Sequence, residues 1–444
     1  MKRFISFAST VAIPLALTAC PGDDTSGSGT ESDGPTSTTD PTADSGSGTS
    51  SGGCVGLDGP RVEVPLEIPD GTVLGCDSVH VLTGISFINS GTLVIEPGTN
   101  IVGGAGSALV VNTGATIDAV GTADQPIVMT SIAVADGGAP TRGDWGGLAL
   151  IGLAEANVGQ APAEGFAMDP PLYGGNDNGH DCGSLSYVRV EWAGNEVSPG
   201  NELNGITFFA CGTATSVDHV QVHMGLDDGI EMFGGTFDAN NIIVTGAADD
   251  SIDCDEGYSG SLQDVFIHQD PAEGDNCLEW STQGTDFTAQ PLTNPTITNL
   301  TCVGSGAGGT DSKGATLQEG VQATIRNSVF ANATNDTIVL ANAASQAQAE
   351  AGSISFPGSH LCDGASVSVD AGDDMATWTN EDFEMWLTGT AGATIGTACE
   401  FPDATFGSPN IQPTTEIEGD GGYAGAVSAS GDNWTLESWT NYAI

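Results

Sequence analysis

A short acidic motif recurs in register along this chain: Leu226-Asp-Asp-Gly-Ile-Glu231, Ala248-Asp-Asp-Ser-Ile-Asp253 and Gly274-Asp-Asn-Cys-Leu-Glu279. The first two copies start 22 residues apart and the next 26, about the length of one coil of a parallel β-helix, where each coil buries its apolar face only against its neighbours. A second pattern repeats between and around them: Leu185-Ser-Tyr-Val-Arg-Val190, Val217-Asp-His-Val-Gln-Val222, Ala239-Asn-Asn-Ile-Ile-Val244, Leu262-Gln-Asp-Val-Phe-Ile267, Ile297-Thr-Asn-Leu-Thr-Cys302 and Ile325-Arg-Asn-Ser-Val-Phe330. Asn241, Asn299 and Asn327 share its third position, where stacked amides are expected to bond to one another or to turn backbone. Earlier runs such as Leu93-Val-Ile95 and Ala108-Leu-Val-Val111 are short and bounded by Gly, Pro, Asn and Asp, which marks strands and turns. The expected fold is all-β, a right-handed parallel β-helix.

The first residues predict an export signal. Lys2 and Arg3 precede an apolar run, Phe4 to Leu17, that is too short to span a bilayer, and Leu17-Thr-Ala-Cys20 fits a bacterial lipobox. Residues 1–19 are read as a lipoprotein signal peptide and Cys20 as the lipidation site. More than one acyl chain anchors stably. From 20 to 53 the chain is almost wholly Gly, Ser, Thr, Asp and Pro, a flexible tether that reaches about 30 Å. The β-helix domain is expected over 54–444, interrupted by an insert at about 343–400. That insert carries a short helix from Asn380, read as its N-cap, to Leu387.

Charge limits the partners. Lys and Arg total seven against 58 Asp and Glu, and two of the seven, Lys2 and Arg3, leave with the signal. The mature chain therefore carries 5 minus 58, or −53. Such a field repels nucleic acid and anionic lipid and attracts cations. No apolar run of 18 residues follows the signal, so membrane contact is expected through the anchor alone, at the cell envelope on the outer-membrane or cell surface. A monomer is expected.

Nine cysteines remain beyond Cys20, and an exported chain holds most of its cysteines as disulfides. Proximity suggests Cys54 with Cys76, Cys182 with Cys211 and Cys362 with Cys399. In the trio Cys254, Cys277 and Cys302, the favoured pair is Cys277 with Cys302, leaving Cys254 buried.

The acidic repeats hold the functional expectation. If Ile230, Ile252 and Leu278 point inward, strand alternation sends Glu231, Asp253 and Glu279 outward, and the preceding turns stack Asp227, Asp249 and Asp275. Adjacent coils lie about 4.8 Å apart, and like charges at that spacing repel by about 1 kcal/mol in water and several-fold more near a partly buried surface. Calcium, which takes six to eight oxygens, would offset the repulsion around Asp227, Asp228, Asp249, Asp250 and Asp253. Full solvation of the acids and a turn-forming role are the plainer readings.

A catalytic reading is weaker. Asp227, Asp228, Asp249 and Asp250 would make a hydrolytic set, but only Arg61, Arg142, Arg189, Lys313 and Arg326 supply positive charge beyond the signal, so no catalytic residue is assigned. His219, His223 and His268 form no convincing metal triad. Arg142-Gly-Asp144 reads as a structural turn rather than an adhesion tripeptide, and Trp192, Phe208, Phe209, Phe233, Tyr258 and Trp280 read as packing between coils rather than as a sugar-binding face.

Several segments together resemble a family of bacterial surface parallel β-helix lipoproteins: Leu93-Val-Ile-Glu-Pro-Gly-Thr-Asn-Ile101, Gly114-Ala-Thr-Ile117 with its continuation to Ile127, Arg142-Gly-Asp-Trp-Gly-Gly147, Tyr173-Gly-Gly-Asn-Asp177, Asp227-Asp-Gly-Ile-Glu231 with Phe233-Gly-Gly235, and the closing Tyr423-Ala-Gly-Ala426 with Trp434 and Trp439. The likeness covers roughly 80 to 444. It implies the fold and a surface address, and it carries over no catalytic residue. The expectation is a lipid-anchored, non-catalytic binding or structural module stabilised by calcium, with surface polysaccharide or protein as partner. The alternative is a polysaccharide-active lyase or hydrolase.

Overall fold

A computed structural model describes residues 53–198, 201–370 and 376–444. The expected signal peptide, Cys20 and nearly all of the tether lie outside the described residues.

The two sequence patterns build two long parallel sheets, one of 11 strands and one of 17. The acidic motif supplies the smaller sheet, where Ile206, Ile230, Ile252 and Leu278 align coil upon coil. All four are buried in one continuous core with Val220, Ile242 and Val265 of the larger sheet. Each such side chain stabilises the stack by about 1.5–3 kcal/mol through the apolar area it removes from water.

The six-fold pattern supplies long strands of the larger sheet, such as Gly183–Glu191, Ser216–His223 and Asp238–Thr245. Each run bends at its third position. Tyr187, His219, Asn241, Asp264, Asn299 and Asn327 all have φ between 48° and 58°, the left-handed region that Asn, Asp and His enter at least cost. The bend turns the sheet through a corner, so that Ser184–Ser186 continues over Asp118–Val120 while Val188–Val190 continues over Ile127–Met129. Part of the expected amide stack is present. Asn299 Nδ2 donates to Asp264 Oδ1 at 3.1 Å, and three corners earlier Tyr187 stacks on His219 at 4.3 Å. Asn327 turns elsewhere, its Oδ1 accepting from Asp420 N.

Four disulfides join Cys54–Cys76, Cys182–Cys211, Cys277–Cys302 and Cys362–Cys399. Cys254 is a buried free thiol. Within the expected insert, residues 343–400, strands still stack on the coils: Val367–Asp370 on Ile338–Ala341, and Thr394–Thr397 on His360–Cys362. Two helices, Asn342–Glu350 and Asn380–Trp386, are spliced between these strands. The N-cap of the second is Thr379, not Asn380, because the Thr379 hydroxyl and the Asp382 carboxylate cap each other's backbone amides. Asn380 Oδ1 instead accepts from Val369 N at 3.0 Å.

The last residues run back along the outer face of the larger sheet. Asp420 pairs with Arg326, Ala426 N donates to Thr301 Oγ1, and Ser438 Oγ donates to Ala123 O.

Candidate metal centre

In four successive coils of the smaller sheet, one side chain at or just before the strand ties its coil to the next. Asn204 Oδ1 accepts from Asp228 N at 3.1 Å, Asp228 Oδ1 from Asp250 N at 2.9 Å, and Asp250 Oδ1 from Asn276 N at 2.7 Å. Asn276 Oδ1 closes the series by accepting from the Thr316 hydroxyl at 2.6 Å. The ladder is Asn, Asp, Asp, Asn, and every rung uses one side-chain oxygen as acceptor. At Gly229 the turn leaves no room for a side chain, since a Cβ there would lie 2.3 Å from Val244 Cγ1.

Beside the ladder runs the outward column of the strands, in which Thr207, Glu231, Asp253, Glu279 and Thr316 stack. Asn204 meets it well, for its Nδ2 donates to Glu231 Oε2. Moved one coil on, the same geometry sets Asp228 against Asp253, acceptor against acceptor. Asp253 Oδ1 is buried and has no hydrogen-bond partner. Carboxylate oxygens of Asp228, Glu231 and Asp253 lie within 4.8 Å of one another, as do those of Asp227, Asp228 and Asp249 and those of Asp249, Asp250 and Asp275. All five residues expected to hold calcium therefore fall in these three overlapping trios, together with Glu231 and Asp275.

The face is partly roofed. The antiparallel pair Ala161–Pro162 with Leu172–Tyr173 and the pair Asn195–Ser198 with Asn201–Leu203 are inserted between coils. They interlock at Gly165, whose φ of 80° and whose closeness to Leu203 exclude any side chain. Glu231 is outward on its strand yet only 9% exposed, so the column is less open than strand alternation alone suggests.

Residues 66–408 match the family model for a pectate-lyase-like β-helix domain. The chain belongs to that family. No curated protein and no solved structure gives a significant match.

In this pectate-lyase-like β-helix the electrostatics of the face are one-sided. Asp228 and Asp250 are 7% and 3% exposed. Burial pushes the Asp228 carboxyl well above the usual range, and Asp250, Asp227 and Asp249 add to the shift. Burial acts the same way on Glu231, reinforced by Glu164, and on Asp253, reinforced by Asp228. Glu279 is pushed up to about 7 by burial, against the lowering effect of its hydrogen bond with Asp250. Glu164, reaching in from the inserted hairpin, rises to about 8 through burial and the nearby Glu202, Asp227 and Glu256. Glu256 rises to about 7 by burial, although the Tyr173 hydroxyl donates to it. Lys313 meets Asp275 at 2.6 Å, and the other five ion pairs among the described residues involve none of these acids.

Sequence spacing had no means of finding Glu164 or Glu256, which belong to an inserted loop and a strand end outside the repeat. Glu231 and Glu279 were visible in the repeat as outward acids. The other motifs settle as structure. Arg142 pairs with Asp270, and Asp144 accepts from Ser131 and Thr141, so both charged members of the tripeptide are engaged within the fold. Phe208, Tyr258 and Trp280 are fully buried, and Phe209 stacks on Phe233 beneath Tyr173.

Proposed function

We propose that this chain is a lipid-anchored, surface-displayed β-helix that acts as a non-catalytic binding or structural module and holds calcium along its acidic ladder. The observation that carries the calcium reading is the cluster of Asp228, Glu231 and Asp253 carboxylate oxygens within 4.8 Å of one another, with a buried Asp253 Oδ1 that has no hydrogen-bond partner, because carboxylates so placed need a proton or a cation between them. At neutral pH a cation relieves every carboxylate in a trio at once. Calcium suits the irregular, oxygen-only donor set, whereas magnesium demands near-ideal octahedral geometry and keeps its waters. Thermal unfolding of the mature domain should rise by several degrees in millimolar calcium and not in sodium of equal ionic strength; equal effects of both salts would leave only general screening.

The anchor is tested separately. Replacing Cys20 with Ala should move the protein from membrane to soluble fractions, and retention in the membrane would defeat the lipid assignment.

A second reading, a lyase or hydrolase acting on polysaccharide along the same face, is favoured by one observation. Burial pushes the Glu256 and Glu279 carboxyls up to about 7, a range in which a carboxyl serves well as general acid or base. Release of unsaturated or reducing-end sugars from an acidic polysaccharide, abolished by Glu279→Gln, would establish it; absence of turnover across a broad panel supports the binding module.

A further inference from the structure

The outward side chains of the larger sheet form two columns. Arg189, Gln221, Ile243, Phe266 and Thr301 make one, and Glu191, His223, Thr245, His268 and Val303 the other. The first is apolar at its centre, at Ile243 and Phe266. At one end both are polar and nevertheless shut away from water: Glu191 is 3% exposed, Gln221 0% and His223 1%. Burying such groups is unfavourable unless each finds a partner.

The chain's own last residues supply those partners. Gln221 pairs with the main chain of Asn441 on both sides, its Nε2 donating to the carbonyl at 2.6 Å and its Oε1 accepting from the amide at 2.8 Å. His223 Nε2 meets Ala443 O at 2.8 Å, and Arg189 Nη1 donates to Trp439 O at 2.8 Å. Asn441 Nδ2 donates to Glu191 Oε1 at 2.9 Å. Trp439, fully buried, joins Ile243, Phe266 and Val303 in one apolar cluster, and its ring packs edge to face with those of Tyr187 and His219. A side-chain amide that satisfies both the backbone N–H and the C=O of one residue, beside an aromatic anchor, is how a groove reads an extended peptide.

We propose that this face is a peptide-recognition groove, that segment 432–444 is its resident ligand, and that the segment detaches as a unit and can be replaced by the same segment of a second copy. The coils keep their own strand-to-strand ladders when it leaves, because the segment is held through side chains rather than as a strand of the sheet. Opening is therefore local and lies below the free energy of global unfolding, and exchange between copies follows the logic of domain swapping.

Hydrogen exchange on the full chain tests the detachment. Amides of 436–444 should exchange through an opening that leaves Ser216–His223 and Asp238–Thr245 protected, and Gln221→Ala should speed the tail at least 10-fold while the strands stay unchanged. Exchange of tail and strands at one common rate, or equal acceleration of both by Gln221→Ala, would overturn it. Recognition is tested with a fluorescent peptide of residues 432–444. A full-length Trp439→Ala chain, whose resident tail is weakened, should bind the peptide at least 10-fold more tightly than the wild-type chain does, and adding Gln221→Ala should abolish the gain. No binding to the Trp439→Ala chain, or binding indifferent to Gln221, would refute the groove.

Discussion

Two pairs of rungs in the same ladder do the same structural task with different chemistry. At Asn204 and Asn276 an amide oxygen ties coil to coil; at Asp228 and Asp250 a carboxylate oxygen does so, over distances of 2.7–2.9 Å. The fold requires the acceptor and not the charge. The Asn rungs also use their amide group, Asn204 toward Glu231 and Asn276 toward Asp250, whereas the Asp rungs present a second acceptor to a column that is itself acidic. The central coils thus carry negative charge that stacking does not need and that burial makes unfavourable, which is the physical case for a bound cation.

The largest effect expected from this contrast is on pH. The buried carboxyls have folded pKa values raised above their unfolded ones, so their contribution to stability is fully present below the unfolded range near 4 and is lost as pH rises through the folded values, about 7 for Glu279 and Glu256 and about 8 for Glu164. Without calcium the melting temperature should fall by about 10 °C between pH 5 and pH 8.5, and saturating calcium should flatten the slope. A calcium-free profile that rises over this interval would show that the carboxylates are already compensated.

Extending the acidic run should hurt next most. Asn204→Asp keeps the acceptor for Asp228 N but removes the donor to Glu231, and the calcium-free protein should lose about 2 kcal/mol in chemical denaturation, the usual cost of stranding a buried polar group. Shortening the run should do the opposite. Asp250→Asn retains the acceptor for Asn276 N and gives Glu279 a donor, so the calcium-free protein should gain about 1 kcal/mol; a loss of similar size would mean that the charge itself supports the coil. The smallest effect belongs to Lys313→Gln, which removes a partly exposed partner of Asp275 and should cost no more than about 1 kcal/mol.

The coil-forming motifs were legible because a solenoid repeats its constraints: the apolar Ile230, Ile252 and Leu278 recur at one phase, and the polar third position of the longer pattern recurs at each left-handed corner. That Tyr187 and His219 occupy the same corner as Asn241 was not legible as a backbone requirement, since their residue types differ. The last coil was hidden because two helices separate its strands, which takes the period far from that of its neighbours. Within the site, the five Asp residues came from the repeat, but the ladder direction did not. Nothing in the spacing says that Asp228 bonds forward to Asp250 while Asp227 remains at the edge. Glu164 came from a hairpin whose position over the column depends on Gly165 packing against Leu203, a tertiary fact without a local signature.

Asp228→Asn tests most directly whether Asp228 is charged for a cation and not for the fold. The variant keeps the acceptor for Asp250 N and offers Asp253 Oδ1 the donor it lacks. Thermal unfolding at pH 8 should show the variant melting several degrees above the wild type without calcium, and showing little or none of the wild type's rise when millimolar calcium is added. A variant that melts below the wild type in the absence of calcium and keeps the full calcium-dependent rise would contradict the account.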